Sequence, residues 1–231
     1  MELIVDGLGE AIRRLVTLDP ELREAAATSL VVSGSATLLA LASGIPLGAM
    51  LGLTRFRGRT LVLSLVNTGM GLPPVVVGLV VALLVYRSGP LGGAGLYCTR
   101  PAMVAAQYLL AAPEVIGLTA IAMQSVDPML RLQLTALGAT ALQSLVILVR
   151  ETRLLLLSAA MAAFGAVISE IGASLMTGCN LKGDTRILTT LIVLDTGAGN
   201  FGGAIALAIV LLIVVFAVNG LTTWAQQRRT A

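Results

Sequence analysis

The stretch that decides the fold is 25-AAATSLVVSGSATLLALASGIPLGAMLGLT-54, which contains no charged side chain. Glu24 stands immediately before it and Arg55 immediately after it. A helix needs about 20 mostly apolar residues to cross the hydrocarbon core of a bilayer, and this run is longer than that. The sequence therefore predicts a transmembrane helix over residues 25–54, with charges marking both of its ends.

The composition of the whole chain agrees with a membrane protein. Of its 231 residues, 57% are hydrophobic and only 12% are charged, whereas about 25% of the residues in an ordinary soluble domain are charged. Apolar runs of this length are too many to be buried within one globule of this size. The net charge of +3 comes from Arg and one Lys, with no His, which is typical of basic membrane-protein loops and not of nucleic-acid binding.

Further charge-poor runs follow the first one. They cover residues 60–86, 102–126, 154–176 and 201–224. The second contains Pro73 and Pro74 near its middle, where we expect the helix to be kinked or broken. The third is interrupted by Pro113 and Glu114. We therefore predict an all-α, polytopic membrane protein with about five transmembrane helices, forming a single membrane domain over residues 1–231.

The segments between these runs have their own patterns. In residues 1–23, Leu8, Ile12, Leu15 and Val16 recur at helical spacing among charged residues. This pattern predicts a helix lying in the membrane interface and not a cleavable signal peptide. Residues 87–101 are rich in Gly and Pro, and residues 177–200 are polar and rich in Gly and Thr, so both are predicted to be loops.

One uncharged stretch, residues 132–149, allows two interpretations. Leu134, Leu145 and Leu148 recur on one helical face, while Gln133 and Gln143 interrupt the other. Periodicity alone leaves open whether this stretch crosses the membrane or lies flat. The number of spans, five or six, depends on it, and counting Lys and Arg on the two sides of the spans does not fix the orientation.

The sequence lacks the usual signs of an enzyme. It contains no Gly-x-x-x-x-Gly-Lys-Ser/Thr phosphate-binding motif, no His and no cluster with metal-ligand spacing, which argues against an intrinsic ATPase or zinc enzyme. We expect no cofactor and no metal bound by the chain. Cys98 and Cys179 are far apart and lack the spacing of a metal or redox motif, which favours unpaired thiols over a disulfide.

Residues 127–150 carry a first resemblance. They contain Thr135-Ala136-Leu137-Gly138-Ala139-Thr140 and lead to Arg150-Glu151-Thr-Arg153. This segment, called the coupling segment below, resembles the cytoplasmic loop with which ABC importer permeases dock onto their ATPase, and Gly138 matches the Gly of that loop. Leu132-Gln-Leu134 stands where the family has Glu-Ala-Ala, and Arg150-Glu151 where it has Leu-Pro. The alternative is an ordinary transmembrane helix.

A second resemblance covers nearly the whole chain. It is concentrated in Gly71-Leu-Pro-Pro-Val-Val-Val-Gly78, Arg87-Ser-Gly-Pro-Leu91, Leu137-Gly-Ala-Thr140, Ile168-Ser-Glu-Ile-Gly-Ala173 and Thr185-Arg-Ile-Leu-Thr-Thr190. Together these look like the tungstate importer permeases, the Tup family. The resemblance implies five spans in the bacterial cytoplasmic membrane, with the N-terminus outside and the C-terminus inside.

The same resemblance implies a function and partners. It implies an oxyanion permease, for tungstate, that works as two copies with a separate ATPase using ATP and Mg and with an extracytoplasmic binding protein. It also implies contact with membrane lipid and no nucleic-acid partner. Three alternatives remain open: a permease for molybdate or another oxyanion, a secondary transporter that uses Glu114 or Glu170, and a membrane scaffold that transports nothing.

Several residues are singled out as candidates for these roles. The family pattern assigns Glu170, Gly172 and Ser174 to the translocation path or gate. Because a carboxylate within a span is costly unless it faces protein or water, we expect Glu170 to pair with a backbone or hydroxyl donor and not to contact the cargo, while Glu114 is taken as structural. Donors and cations at the outer mouth are expected at Asn180, Lys182, Thr185, Arg186 and Thr189, with a solvated loop that meets a partner protein as the alternative.

Overall fold

The regular elements in the described part of the chain are all helices. The structure, a computed structural model, describes residues 9, 12, 13, 17 and 19–227. Its helices are α1 (Pro20–Leu53), α2 (Arg59–Met70), α3 (Pro74–Val85), α4 (Arg100–Gln124), α5 (Pro128–Ala136), α6 (Ala141–Glu151), α7 (Arg153–Ile168), α8 (Gly172–Gly178), α9 (Leu188–Gly197) and α10 (Phe201–Gln227), with a single 3₁₀ turn at Gly92–Ala94. Most of the predicted interfacial helix over residues 1–23 lies outside the described residues, and residues 20–23 belong to α1.

The number of spans agrees with the prediction. Three helices are long and apolar enough to cross a membrane, and two bent helix pairs bring the number to five if each pair is one span. Residues 132–149 do not add a sixth, because α5 and α6 are separate short helices on either side of Gly138. The third span continues through Pro113 without a break, which corrects the interruption expected there.

The α1 and α4 helices pack closely side by side. Gly44, Gly48 and Gly52 follow one another at every fourth position of α1 and face α4, since a Cβ on Gly48 would lie only 2.5 Å from the Ile116 carbonyl oxygen. A Cβ on Gly52 would lie 2.7 Å from the carbonyl oxygen of Ala120. Small residues at such spacing allow membrane helices to approach closely, so this pair forms the centre of the fold.

Two spans are broken. The α2 and α3 helices meet at an angle of 99°. Pro73 is the N-cap of α3 and Pro74 is its first residue, where proline lacks only an N–H that has no helical partner. The predicted break is therefore confirmed. The α7 and α8 helices are also bent, by 59°, around Glu170, where the sequence predicted one continuous span.

The predicted loop over residues 177–200 is in part a helix, α9. It packs against the start of α1 and against α10, in a cluster formed by Leu22, Ala25, Leu188, Leu191, Leu207 and Val210. The sequence looks polar here because of its threonines. Thr190 Oγ, however, donates to the Ile187 carbonyl oxygen at 3.0 Å, so the hydroxyl is satisfied within the protein and the first turn of α9 can be buried.

The two cysteines form a disulfide, which corrects the expectation of unpaired thiols. Their Cα atoms are 5.1 Å apart although they are separated by 81 positions in the chain, because the fold brings the start of α4 next to the end of α8. The disulfide and the starts of α1 and α4 lie at one end of the molecule, called the disulfide end. The ends of α1 and α4 and the turn at Gly138 lie at the other, the Gly138 end.

Candidate functional site

The break between α7 and α8 is held together by the Glu170 carboxylate. Oε1 accepts a hydrogen bond from the Ala173 N–H at 2.7 Å, and Oε2 accepts bonds from the N–H and the Oγ of Ser174 at 3.1 and 3.2 Å. The residue is 7% exposed. The carboxylate thus satisfies N–H groups in the first turn of α8 that have no helical acceptor. These partners are of the kind expected from the sequence.

Polar side chains from two other helices extend this cluster. Gln107 of α4 is fully buried and donates from Nε2 to Ser174 Oγ at 3.0 Å, and Thr189 of α9 donates to the Glu170 carbonyl oxygen at 3.1 Å. Sequence reasoning missed Gln107, although an amide inside the apolar run 102–126 was a visible signal. The break is therefore tied to α4 and α9 at once.

The two broken spans meet at this site. A Cβ on Gly172 would lie 2.4 Å from Val75 Cγ2, and a Cβ on Gly78 would lie 2.4 Å from the Ala173 Cα. Such contacts require glycine at both positions. Since Val75 directly follows Pro73 and Pro74, the break in the second span lies beside the break at Glu170, and the structure brings these predicted residues together.

The residues predicted at the outer mouth are largely engaged with the protein itself. Lys182 Nζ and Arg186 Nη1 form ion pairs with the Glu21 carboxylate at 3.1 and 2.6 Å, and Arg186 Nη2 donates to the Asn180 carbonyl oxygen at 3.4 Å. The two cations therefore already have an anionic partner. Glu21, near the start of α1, was not predicted.

The two threonines of this set lie inside the fold. Thr185 is fully buried, accepts a hydrogen bond from the Leu181 N–H at 2.9 Å and donates to the Gly178 carbonyl oxygen. Thr189 is bonded to Glu170, as described above. The ion pairs of Lys182 and Arg186 with Glu21 fasten the segment after Cys179 to α1, and the pair of Arg100 and Asp184 at 3.1 Å fastens it to α4. These contacts lie at the disulfide end, where the Lys182 side chain is paired but still exposed.

The coupling segment turns sharply at Gly138. Its φ is +74°, a backbone conformation that favours glycine. The N–H of Gly138 bonds to the Thr135 carbonyl oxygen and that of Ala139 to the Leu134 carbonyl oxygen, both at 3.0 Å, which is the Schellman ending of a helix. Thr140 then begins α6 with a capping box in which Gln143 Oε1 accepts from the Thr140 N–H at 2.8 Å. Local sequence thus builds two short helices.

This segment has one packed face and one exposed face. Leu134 and Leu148 are buried against the ends of α1, α4 and α7, in a cluster with Ala49, Ala122, Met123, Val126 and Leu156. In contrast, Leu137 at the turn is 83% exposed and Leu142 is 70% exposed. Thr135, Ala136, Gly138 and Thr140 are exposed and Ala139 is half-buried. An apolar tip held on a packed base is suited to contact with another protein.

Comparisons with known proteins agree with this architecture. Residues 44–231 match the family model described as binding-protein-dependent transport system inner membrane component. The chain is 38% identical over 219 residues to the tungstate uptake system permease protein TupB of Peptoclostridium acidaminophilum, covering 95% of this chain and 96% of that protein. It is 42% identical over 200 residues to a probable anion ABC transporter permease protein of Haloferax volcanii, covering 84% of this chain and 86% of the relative.

A solved structure shares the fold. The chain superimposes on a chain of the MetNI methionine ABC transporter, in inward-facing conformations, with a TM-score of 0.68. The match covers 90% of this chain and 94% of that one at 20% sequence identity, so it informs on the fold alone. With the family model matching most of its length, the chain belongs to the binding-protein-dependent transport system inner membrane components, the permease subunits of ABC transporters.

Proposed function

We propose that this chain carries a tetrahedral oxyanion, tungstate, across the cytoplasmic membrane. The observation that carries the proposal is the 38% identity, over 95% of the chain, to a permease named for tungstate uptake. Molybdate is the nearest alternative cargo, because the two dianions have the same shape and charge and similar size. Selectivity between them would reside mainly in the binding protein that delivers the cargo.

The working assembly would contain two copies of this chain and a separate ATPase that uses ATP and Mg. The family description, which names a binding protein, supports an extracytoplasmic partner. The sequence has no phosphate-binding motif of its own, which supports an energy source in another subunit. The two permease copies would form one pathway between them.

The disulfide supports an orientation in the membrane. Disulfides persist in oxidising compartments and are rare in the cytosol, so the disulfide end faces outward. The Gly138 end then faces the cytoplasm together with Arg55, Arg57 and Arg59, as the positive-inside rule favours. This orientation has the N-terminus outside and the C-terminus inside, and it exposes the coupling segment to the ATPase.

A mechanism follows from this arrangement. ATP-driven movement of the ATPase would push on Leu137 and Gly138 at the exposed turn. The buried Leu134 and Leu148 would transmit this movement to the ends of α1 and α4 and to the start of α7. The spans would then reorient around the two adjacent breaks. Glu170, Gly172 and Ser174 would act here by holding the shape of the pathway, since the carboxylate is already bonded to α8.

Competition uptake tests the proposal. Proteoliposomes containing this chain, its ATPase and its binding protein are expected to take up tungstate only with ATP inside the vesicles. Unlabelled tungstate should compete strongly, molybdate less, and sulfate hardly at all. Vesicles without the binding protein are the control. Uptake driven by an ion gradient without the ATPase would contradict the importer and favour a secondary transporter.

A further inference from the structure

A polar cavity of about 310 Å³ lies at the Gly138 end, apart from the Glu170 site. It is formed where the end of α1, the turn before α2, the end of α4 and the start of α5 meet. Three arginines line it, Arg55, Arg59 and Arg131, together with Thr54 and Gln124. Its lining residues include no Asp or Glu. We call it the arginine pocket.

No ion pair within 4 Å joins the arginines of this pocket to a carboxylate among the described residues. Arg59 Nε donates to the Leu51 carbonyl oxygen at 2.8 Å, and Arg131 Nη2 donates to the Met123 carbonyl oxygen. Both acceptors are neutral, so they hold the guanidinium groups in position without cancelling their charge.

One donor of the pocket lacks a hydrogen-bond partner. The Arg131 Nε atom is buried and unpaired among the described residues, and buried donors of this kind usually have an acceptor in the protein or in a bound group. Asp127, close by in the chain, uses its Oδ1 atom to cap α5 by accepting from the Met129 N–H at 2.8 Å. The positive-inside rule accounts for arginines at this end but not for three of them around one cavity.

We propose that the arginine pocket binds one tetrahedral oxyanion of the phosphate type. Guanidinium groups present planar pairs of N–H donors that match the oxygens of such anions. The anion is either the phosphate of an anionic lipid headgroup or a free ion from the cytoplasm. Both sources present the same chemistry to the three arginines.

The position of the pocket gives this anion a structural consequence. Arg55 and Arg59 belong to the turn between α1 and α2, whereas Arg131 belongs to α5, four positions before Thr135. An anion bound by all three side chains would connect the turn between α1 and α2 to the coupling segment. This contact would be additional to the apolar contacts of Leu134. Occupancy of the pocket therefore affects how firmly the coupling segment is held, whichever oxyanion is transported.

Binding is tested on the complex of this chain with its ATPase. In neutral detergent, thermal unfolding is followed while sodium phosphate is added, against sodium chloride at the same ionic strength. In a second arm, the complex is taken from nanodiscs of phosphatidylglycerol and phosphatidylcholine, and retained phosphatidylglycerol is measured by native mass spectrometry. Arg55→Gln and Arg131→Gln are compared with Arg57→Gln, a matched control in the same turn that does not line the pocket.

We expect the wild type to bind at least one of the two probes. The affinity for that probe should fall about tenfold in Arg55→Gln and Arg131→Gln and stay unchanged in Arg57→Gln. Stabilisation by phosphate without lipid retention identifies a free ion, and lipid retention identifies a headgroup. The Arg55 side chain makes no hydrogen bond or ion pair with the residues that the structure describes, so its variant keeps the test valid if Arg131→Gln is unstable. The proposal is overturned if neither probe separates the wild type from Arg55→Gln, or if Arg57→Gln is weakened equally.

Discussion

Glu170 shows how a carboxylate is accommodated inside a membrane protein. An ionisable group in the middle of a span costs roughly 2.5 kcal/mol or more, and a buried one needs hydrogen-bond partners. Here both oxygens are bonded to the start of α8, and the carbonyl oxygen of the same residue accepts from Thr189. The group is therefore used to hold a helix break, and its carboxylate is not left free to meet an anionic cargo.

This geometry predicts the effect of Glu170→Gln. The amide keeps one acceptor oxygen but presents an NH₂ group where the other oxygen stood, so one buried N–H of α8 loses its acceptor. Such a loss costs about 1–3 kcal/mol, and we expect a lower midpoint of thermal unfolding. The initial rate of ATP-dependent uptake, divided by the amount of inserted protein, should remain close to that of the wild type.

Glu114→Gln is the matched control, because Glu114 is a half-buried carboxylate in α4 that also lies within a span. Glu114→Gln should lower the unfolding midpoint less than Glu170→Gln does. Its uptake rate should stay close to that of the wild type. If Glu170→Gln abolished uptake while its unfolding midpoint stayed at the wild-type value, the carboxylate would have a role in transport itself and the structural interpretation would be wrong.

The sequence predicted the type of hydrogen-bond donor that pairs with Glu170, but not the residues that supply it. The sequence indicated a backbone or hydroxyl donor because an unpaired carboxylate is too costly within a span. Ala173 and Ser174 follow only three and four positions later, and they reach the carboxylate because the helix breaks there. Hydropathy does not detect such a break, since Leu154 to Met176 is apolar on both sides of it. Gln107 was missed for a related reason, as its partner lies in a different helix.

The coupling segment shows what local signals add to periodicity. Periodicity left residues 132–149 undecided between one crossing helix and a flat arrangement. The decisive residues were present in the sequence: Gly138, suited to end a helix, and Thr140 with Gln143, a pair suited to begin one. In the structure they end α5 and begin α6. Neither helix, at 9 and 11 residues, is long enough to span the hydrocarbon.

Substitutions at Gly138 test whether the shape of this turn matters for coupling. Asn tolerates a positive φ better than other residues, whereas a β-branched residue does not, at a cost of about 1–2 kcal/mol. No atom of the chain lies within 4 Å of a Cβ added at Gly138, so the two variants differ mainly in backbone preference. We expect Gly138→Asn to keep most of the ATP-dependent uptake and Gly138→Val to lose most of it.

Both variants should insert into the membrane at wild-type levels, which is checked by quantifying the protein in membrane fractions. ATP hydrolysis stimulated by the loaded binding protein gives a second measurement, and it should fall together with uptake in Gly138→Val. Equal loss in the two variants would indicate that a side chain at this position obstructs the partner. In that case the backbone shape of the turn would not be the cause.

For the whole molecule, hydropathy predicted the spans well and the connections between them poorly. The five apolar runs correspond to the three long helices and two bent pairs, because the length of an apolar run is set by bilayer thickness. The α9 helix and the Cys98–Cys179 disulfide depend on contacts between distant parts of the chain. These contacts join residues that are far apart in the chain, so spacing along the sequence carries no signal for them.

The orientation that we propose from the disulfide, and that charge counting left open, can be measured. In a background with Cys98→Ser and Cys179→Ser, we introduce Leu91→Cys in the loop near the disulfide end or Leu137→Cys at the coupling turn. Leu91 is 52% exposed and Leu137 is 83% exposed, so both thiols should be accessible to reagents. A membrane-impermeant maleimide should label Leu91→Cys in intact spheroplasts and Leu137→Cys only after the membrane is opened.

Inverted membrane vesicles provide the reciprocal measurement, in which Leu137→Cys should be labelled and Leu91→Cys protected. The cysteine-free background should remain unlabelled in both preparations. The ATPase is expected to slow labelling of Leu137→Cys in inverted vesicles, because the exposed turn would then be covered by the partner. Labelling of Leu137→Cys in intact spheroplasts would reverse the orientation, and it would separate the coupling segment from any cytoplasmic ATPase.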